Sequence, residues 1–238
     1  MVEKFMPYQS LILDTETHSL HGFPIEIAYL PCTLDQNGLQ RHETQIYDEY
    51  FSLEAGTNIH YASMAVHHIV PGDLANKPLY TEFRLPTDTT YIIGHNIDYD
   101  VAAIARCGQD VQQIKPICTL ALARSIWNTL DSHNLSALSY YLSQDLTATR
   151  EKLRNAHNAK TDVLITADLL EHIIQHLGVN SMEELFQASQ RARLPQYMPF
   201  GKHKGTALID VPHDYARWLL KQDNLEPYLR EALEAIFS

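Results

Sequence analysis

Ser10-Leu11-Ile12-Leu13-Asp14-Thr15-Glu16-Thr17 begins as a strand-length apolar run and ends in two carboxylates two positions apart. Side chains two apart on a strand share a face, so Asp14 and Glu16 can meet one metal cluster. An acidic pair at a strand end is also an ordinary solvated turn, and the tetrapeptide alone leaves both readings open. Working outward, Ile25–Leu30 alternates in the β manner and Gln45–Phe51 is a third strand-like run. Loops containing Gly22-Phe23-Pro24 and Asn37-Gly38 separate these runs, which predicts a meander of three strands.

Farther along, Tyr91-Ile92-Ile93-Gly94 is a short apolar strand that feeds a helix over Asp98–Cys107 stopped by Gly108, and Ile114–Cys118 is a further strand candidate. Helices follow near Thr119–Trp127, Leu135–Leu142 and Lys160–Leu177. The last carries apolar residues at Val163, Ile165, Ala167, Leu169, Leu170, Ile173 and Ile174 before Gly178. Strands that give way to alternating strands and helices predict a mixed α/β sheet domain. Ser181 and Glu184 have capping-box spacing, which places a boundary between a domain at 1–179 and a module at 180–238. That module is expected to be small and α+β: a turn at Gly201-Lys202-His203-Lys204-Gly205, a short strand, and helices near Tyr215–Lys221 and Glu226–Phe237.

The 238 residues suffice for one domain with an appendage, and no apolar run approaches the length of a membrane span. The start of the chain carries no signal-peptide core, so a cytoplasmic protein with no membrane partner is expected. Cys32, Cys107 and Cys118 are an odd, widely spaced set, which argues against a disulfide framework or a zinc site and for buried reduced thiols. A net charge of −11 runs against nucleic-acid binding, yet six Lys/Arg face two Asp between Gln190 and Lys221.

Two further segments carry chemistry. Gly94-His95-Asn96-Ile97-Asp98-Tyr99-Asp100 starts a helix where Asp100 can face the first acidic pair; the plain alternative is an acidic helix N-terminus favoured by the macrodipole. His157-Asn158-Ala159-Lys160-Thr161-Asp162 puts a histidine in a loop and a carboxylate in the next helix's first turns, which is equally a capped helix with a surface histidine.

In this order and at these intervals the three segments resemble the proofreading-type 3′→5′ exonuclease superfamily, named for four acidic residues and a histidine. The matches are Asp14 and Glu16 to Asp-x-Glu, Asn96 and Asp100 to His-Asn-x-x-aromatic-Asp, and His157 and Asp162 to His-x-Ala-x-x-Asp. Ala62–Ile69, Ile117–Trp127 and Met198–Gly205 extend the likeness to the exodeoxyribonuclease X branch over nearly the whole chain. The resemblance implies a ribonuclease-H-like sheet of about five strands, three antiparallel then two parallel, flanked by helices. It also implies an enzyme that hydrolyses phosphodiesters at DNA 3′ ends.

On that resemblance Asp14, Glu16, Asp100 and Asp162 are the metal ligands. Such hard oxygen donors select two Mg²⁺ or Mn²⁺ ions, ~4 Å apart, with Asp14 bridging both. His157 is the general base. Thr15, Thr17, Leu20, His67 and Asn96 are candidates to hold the terminal nucleotide. Lys202 and Lys204 are candidates to hold the phosphate backbone, or else form a solvated turn. Ser19 departs from the glycine common after the Asp-x-Glu-Thr turn. RNA as substrate, and an inactive nucleic-acid- or polymerase-binding subunit, are the competing readings.

Overall fold

A computed structural model describes residues 8–154 and 158–237. Its centre is a six-stranded mixed sheet made of β1 (Ser10–Thr17), β2 (Pro24–Asp35), β3 (Gly38–Arg41), β4 (Tyr47–Tyr50), β5 (Tyr91–Gly94) and β6 (Lys115–Cys118). The order is β3-β2-β1-β5-β6, with β4 also on β2. β1 and β2 run antiparallel from Ser10↔Cys32 to Thr17↔Pro24, while β1, β5 and β6 are parallel.

The strand added to the expected set is β3. Asn37 lies in a tight turn rather than a long loop, and Gly38, at φ +96°, begins the return strand. β2 is twelve residues long, so its outer edge has room for two short partners: Cys32–Asp35 pairs with β3 and Glu26–Tyr29 with β4.

The chain also forms helices. In chain order they are α1 (Tyr61–His67), α2 (Asp98–Arg106), α3 (Thr119–Ile126), α4 (Leu135–Leu142), α5 (Leu146–Leu153), α6 (Ala159–Leu177), α7 (Met182–Arg193), α8 (His213–Leu220) and α9 (Pro227–Phe237). α6 packs on β1 and β2. Its buried stripe comprises the seven apolar residues that the 3.6-residue period picks out, from Val163 to Ile174. Asn158 caps its start by accepting from the Thr161 N–H at 3.3 Å, and Gly178, at φ 65°, ends it in the left-handed conformation. All three cysteines are buried thiols with no disulfide between them. No helix among the described residues is long and apolar enough to cross a membrane.

The chain divides into two compact units, Met1–Gln187 and Ala188–Ser238. The first extends past the boundary expected at 179 because the start of α7 is fastened to the sheet's parallel edge. Glu183 Oε2 accepts from Lys115 Nζ at 2.7 Å and from the Tyr91 hydroxyl at 2.8 Å. The second unit has its own core of Met198, Leu208, Val211, Leu219, Leu229 and Leu233. The short strand expected there does not form among the described residues, so the module is helical rather than α+β. Tyr197 and Ala207 make one isolated bridge, and the chain then enters a three-ten turn at Leu208–Asp210. Leu208 and Val211 both enter the core, and a spacing of three suits a turn rather than strand alternation.

Candidate active site

β5 supports β1 only as far as Ile12↔Ile93 and stops at Gly94. Here the backbones come close: a Cβ on Gly94 would lie 2.8 Å from the Leu13 carbonyl oxygen. Beyond this point β1 has β2 alone as a strand partner, and a carboxylate takes up the Thr15 N–H. Asp100, buried in the first turn of α2, accepts through Oδ1 from the Thr15 N–H at 2.9 Å and from the Thr15 hydroxyl at 2.8 Å. Strand alternation turns Asp14 and Glu16 to one side, where the first turn of α6 brings Asp162. One carboxylate oxygen from each of Asp14, Glu16 and Asp162 lies within 4.8 Å of the others.

A further acid, not picked out in the sequence, holds this arrangement together. Glu26 on β2 sits directly across the ladder from Glu16 and is 1% exposed. Its carboxylate accepts from Asn158 Nδ2 at 2.6 Å and from the Ala159 N–H at 3.2 Å. The start of α6, and with it Asp162, is thereby tied to the same strand pair that carries Asp14 and Glu16.

The electrostatics are those of crowded, desolvated acids. Burial, then the charges of Asp100, Glu16, Asp162 and Glu26, hold Asp14 well above the usual carboxylate range. Glu16 is pushed up to about 9 by burial first and then by Asp162, Glu26 and Asp100. Burial raises Asp100 to about 7 despite the opposing Thr15 hydrogen bonds. Glu26 also rises to about 7, through burial and the neighbouring Asp48, with the Ala159 N–H pulling the other way. The charges that act most strongly on Asp14 are all negative. An all-oxygen set of this kind fits a divalent cation, which would remove the repulsion.

The remaining candidates fall in different places. His157 lies outside the described residues; its covalent neighbour Asn158 is the residue held by Glu26. Thr17 is buried and its hydroxyl donates to the Ser19 carbonyl at 2.7 Å, with the Tyr99 hydroxyl also in contact. Ser19 needs no left-handed backbone, since the described non-glycine residues at positive φ are His68, Asn76 and Asn96. Leu20 is 72% exposed.

Buried His67 accepts the Ile69 N–H on Nδ1 at 2.9 Å, which leaves the proton on Nε2. Burial lowers its pKa, with the Thr17 backbone opposing. Asn96 is exposed in the turn before α2, and its φ of 69° explains an asparagine there on backbone grounds alone. His95 is structural: its ring contacts the Thr119 hydroxyl and the His133 carbonyl, and burial pushes it down to about 4. Lys202 and Lys204 are exposed in the second unit.

Comparison with known proteins bears on this assembly. Residues 191–238 match a family described as "Putative quorum-sensing-regulated virulence factor". A structure of exonuclease X in complex with 5′-overhanging duplex DNA is similar, with TM-score 0.57 and 23% identity, over 76% of this chain and 99% of that one. Escherichia coli exonuclease I in complex with a dA16 oligonucleotide is similar with TM-score 0.53 and 20% identity, over 86% of this chain and 46% of that one. These likenesses concern the fold. The PolC-type DNA polymerase III of Pediococcus pentosaceus is 28% identical over 135 residues, 54% of this chain, which thereby spans only 9% of that relative's length. The Exonuclease family model (RNase_T) matches residues 11–170, more than half of the chain and the whole stretch from Asp14 to Asp162, and the protein belongs to that exonuclease family.

Proposed function

We propose that the protein removes nucleoside 5′-monophosphates from DNA 3′ ends, with two Mg²⁺ or Mn²⁺ ions held by Asp14, Glu16, Asp100 and Asp162. The observation that carries this reading is the convergence of Asp14, Glu16 and Asp162 within 4.8 Å, beside Asp100. Bound there, divalent ions supply activation of the attacking water and neutralisation of charge on the phosphate and the departing 3′-oxygen. The chain's own groups do the rest. Asp14, on which Asp100, Glu16 and Asp162 all act, would be the central ligand. Thr15 fixes Asp100 through two hydrogen bonds. Glu26 fixes the α6 end that presents Asp162. His157, adjacent to Asn158, takes the proton from water, a task suited to an imidazole of ordinary pKa near ~6.5.

The β1 backbone from Thr15 to Thr17, exposed Leu20, His67 and Asn96 form the place for the terminal nucleotide. DNA is the preferred substrate class because exonuclease X and exonuclease I, whose fold the chain shares, are seen with DNA. The test is hydrolysis of 3′- and 5′-labelled single-stranded DNA, blunt duplex and RNA in Mg²⁺, Mn²⁺ or excess chelator, with products sized. Mononucleotide release from DNA 3′ ends that stops in chelator is expected. Undiminished activity in chelator refutes the metal assignment, and faster cutting of RNA refutes the choice of DNA.

A further inference from the structure

The acid excess of this chain is unevenly distributed. Residues 188–238 hold seven Lys/Arg against six Asp/Glu, so the whole of the −11 net charge is carried by residues 1–187. Two of the seven are structural: Arg193 is buried and bound to the Tyr228 hydroxyl, and Arg230 donates to the Leu220 and Gln222 carbonyls at 2.7 and 2.6 Å. Arg191, Lys202, Lys204, Arg217 and Lys221 are left on the surface.

Lys202 lies over an aromatic ring, with Lys204 exposed on the same turn and Arg217 exposed on the helix that carries that ring. The turn at 201–205 is pinned by hydrogen bonds from the Gly205 N–H to the Met198 carbonyl at 2.8 Å and from the Met198 N–H to the Thr206 carbonyl at 2.9 Å. It sits directly on α8: Gly201, at φ 71°, approaches so closely that a Cβ there would lie 2.7 Å from the Tyr215 hydroxyl. Lys202 Nζ is 5.1 Å from the centre of the Tyr215 ring, and Trp218 lies on that ring's flank at 5.5 Å and 34°. Trp218 is 53% exposed and Phe200 43%, although the same unit buries a complete aliphatic core. On α8, Arg217 directly precedes Trp218, Lys221 follows Trp218 by one turn at the helix's C-cap, and Asp214 lies one turn before them.

We infer that this surface of the second unit, built from Lys202, Lys204, Arg217, Tyr215 and Trp218, binds single-stranded nucleic acid, with bases stacked on the exposed rings and phosphates on the cations. A protein partner or a membrane would use the rings or the charges, but alternating rings and cations match the repeat of a single strand, whose every nucleotide offers a π-face and a phosphate. The surface thereby adds a second hold on the substrate of the proposed exonuclease and rests on that reading for its biological meaning. Its physical claim stands apart from catalysis.

The test uses the full chain in chelator, so that nothing is cut, and follows fluorescence anisotropy of labelled oligodeoxynucleotides over a range of salt. Trp218→Ala is expected to weaken single-strand binding by about 5- to 100-fold, the range for losing one stacked base, with blunt-duplex binding much less affected. Lys202→Ala with Lys204→Ala is expected to reduce the log–log salt slope by about 1.4, since each phosphate contact on a single strand contributes ~0.7. The replaced side chains are exposed, so both proteins keep the parent's melting midpoint; if Trp218→Ala does not fold, the lysine pair alone decides. Parental affinity and salt slope in the lysine variant overturn the inference. Absence of 3′-end hydrolysis by the parent in Mg²⁺ overturns the exonuclease reading instead, and the two failures are separately visible.

Discussion

Replacing Asp14 by Asn should make the protein inactive and, without metal, more stable. Oxygens of Asp14, Glu16 and Asp162 lie within 4.8 Å of one another. At that distance two full charges repel by about 3.5 kcal/mol in an effective dielectric of ~20. Near pH 7 much of this is avoided because the cluster retains protons, as the rise of Glu16 to about 9 shows. As pH rises through about 9 Glu16 gives up its proton, and Asp14→Asn should then recover about 2–3 kcal/mol. At ~2–4 °C per kcal/mol for a protein of this size, that is roughly 5–10 °C in melting midpoint.

The parent should behave in the opposite sense. Saturation with Mn²⁺ or Mg²⁺ at ~100 times the dissociation constant contributes about 2.7 kcal/mol, and the variant should lose most of that gain. The pH profile follows from the same groups. Asp14, Glu16, Asp100 and Glu26 all have folded-state pKa values above their ordinary ones, so their contribution is fully present below about pH 4. It is lost as pH rises through about 7 and then about 9. Asp168 and Glu183, lowered by partners that include Lys152 and Lys115, work in reverse and cost stability as pH falls below about 4. In chelator the parent is therefore most stable at mildly acidic pH, and metal should flatten the alkaline decline. Differential scanning fluorimetry at pH 5, 7 and 9, with chelator or metal, reads all of this. A parent midpoint indifferent to metal, or a variant that melts below the parent at pH 9 in chelator, refutes the cluster as a metal site.

Other changes probe the supports. His157→Ala should lower turnover by roughly 10²–10⁴-fold; calorimetry should find metal binding retained, and its loss would make His157 a ligand instead. Glu26→Gln keeps shape but offers one acceptor and one donor to two donors, Asn158 Nδ2 and the Ala159 N–H. It should cost about 1–3 kcal/mol and lower kcat more than it raises KM, whereas an unchanged kcat would reduce Glu26 to packing. Arg41→Ala removes bonds at 2.6 Å to Asp168 and 2.8 Å to Glu171, so the urea midpoint should fall by about 1–3 kcal/mol equivalent. Gly94→Ala should disturb β1 through the Leu13 carbonyl and reduce activity and stability together; full activity would show that the close approach is relaxed at no cost.

What could be read from the sequence was what repeats or is local. Alternation on β1 placed Asp14 and Glu16 on one face, and the 3.6-residue period with a glycine stop delimited α6 almost to the residue. β3 was hidden because Gly38-Leu39-Gln40-Arg41 has a single apolar residue; what makes it a strand is the edge that β2 offers. Glu26 was hidden for a related reason. Between Ile25 and Ile27 it looks like the wet side of an alternating strand, yet all three are buried because both faces of β2 are covered. The Thr15–Asp100 bonds join residues 85 apart, and no local pattern announces them. In the second unit, Leu208-Ile209-Asp210-Val211 reads as strand until the core selects positions three apart.

Joining Asn158 to Glu26 spans 132 residues, and so the site has a place in the history of each molecule as well as in its geometry. Contacts this distant in sequence close large loops and tend to form after local ones. A chain emerging from the ribosome displays Asp14, Glu16 and Asp100 before Asp162 exists, so the proposed set of metal ligands is completed last, by α6. Assembly of the proposed site therefore waits for α6 to dock onto β1 and β2.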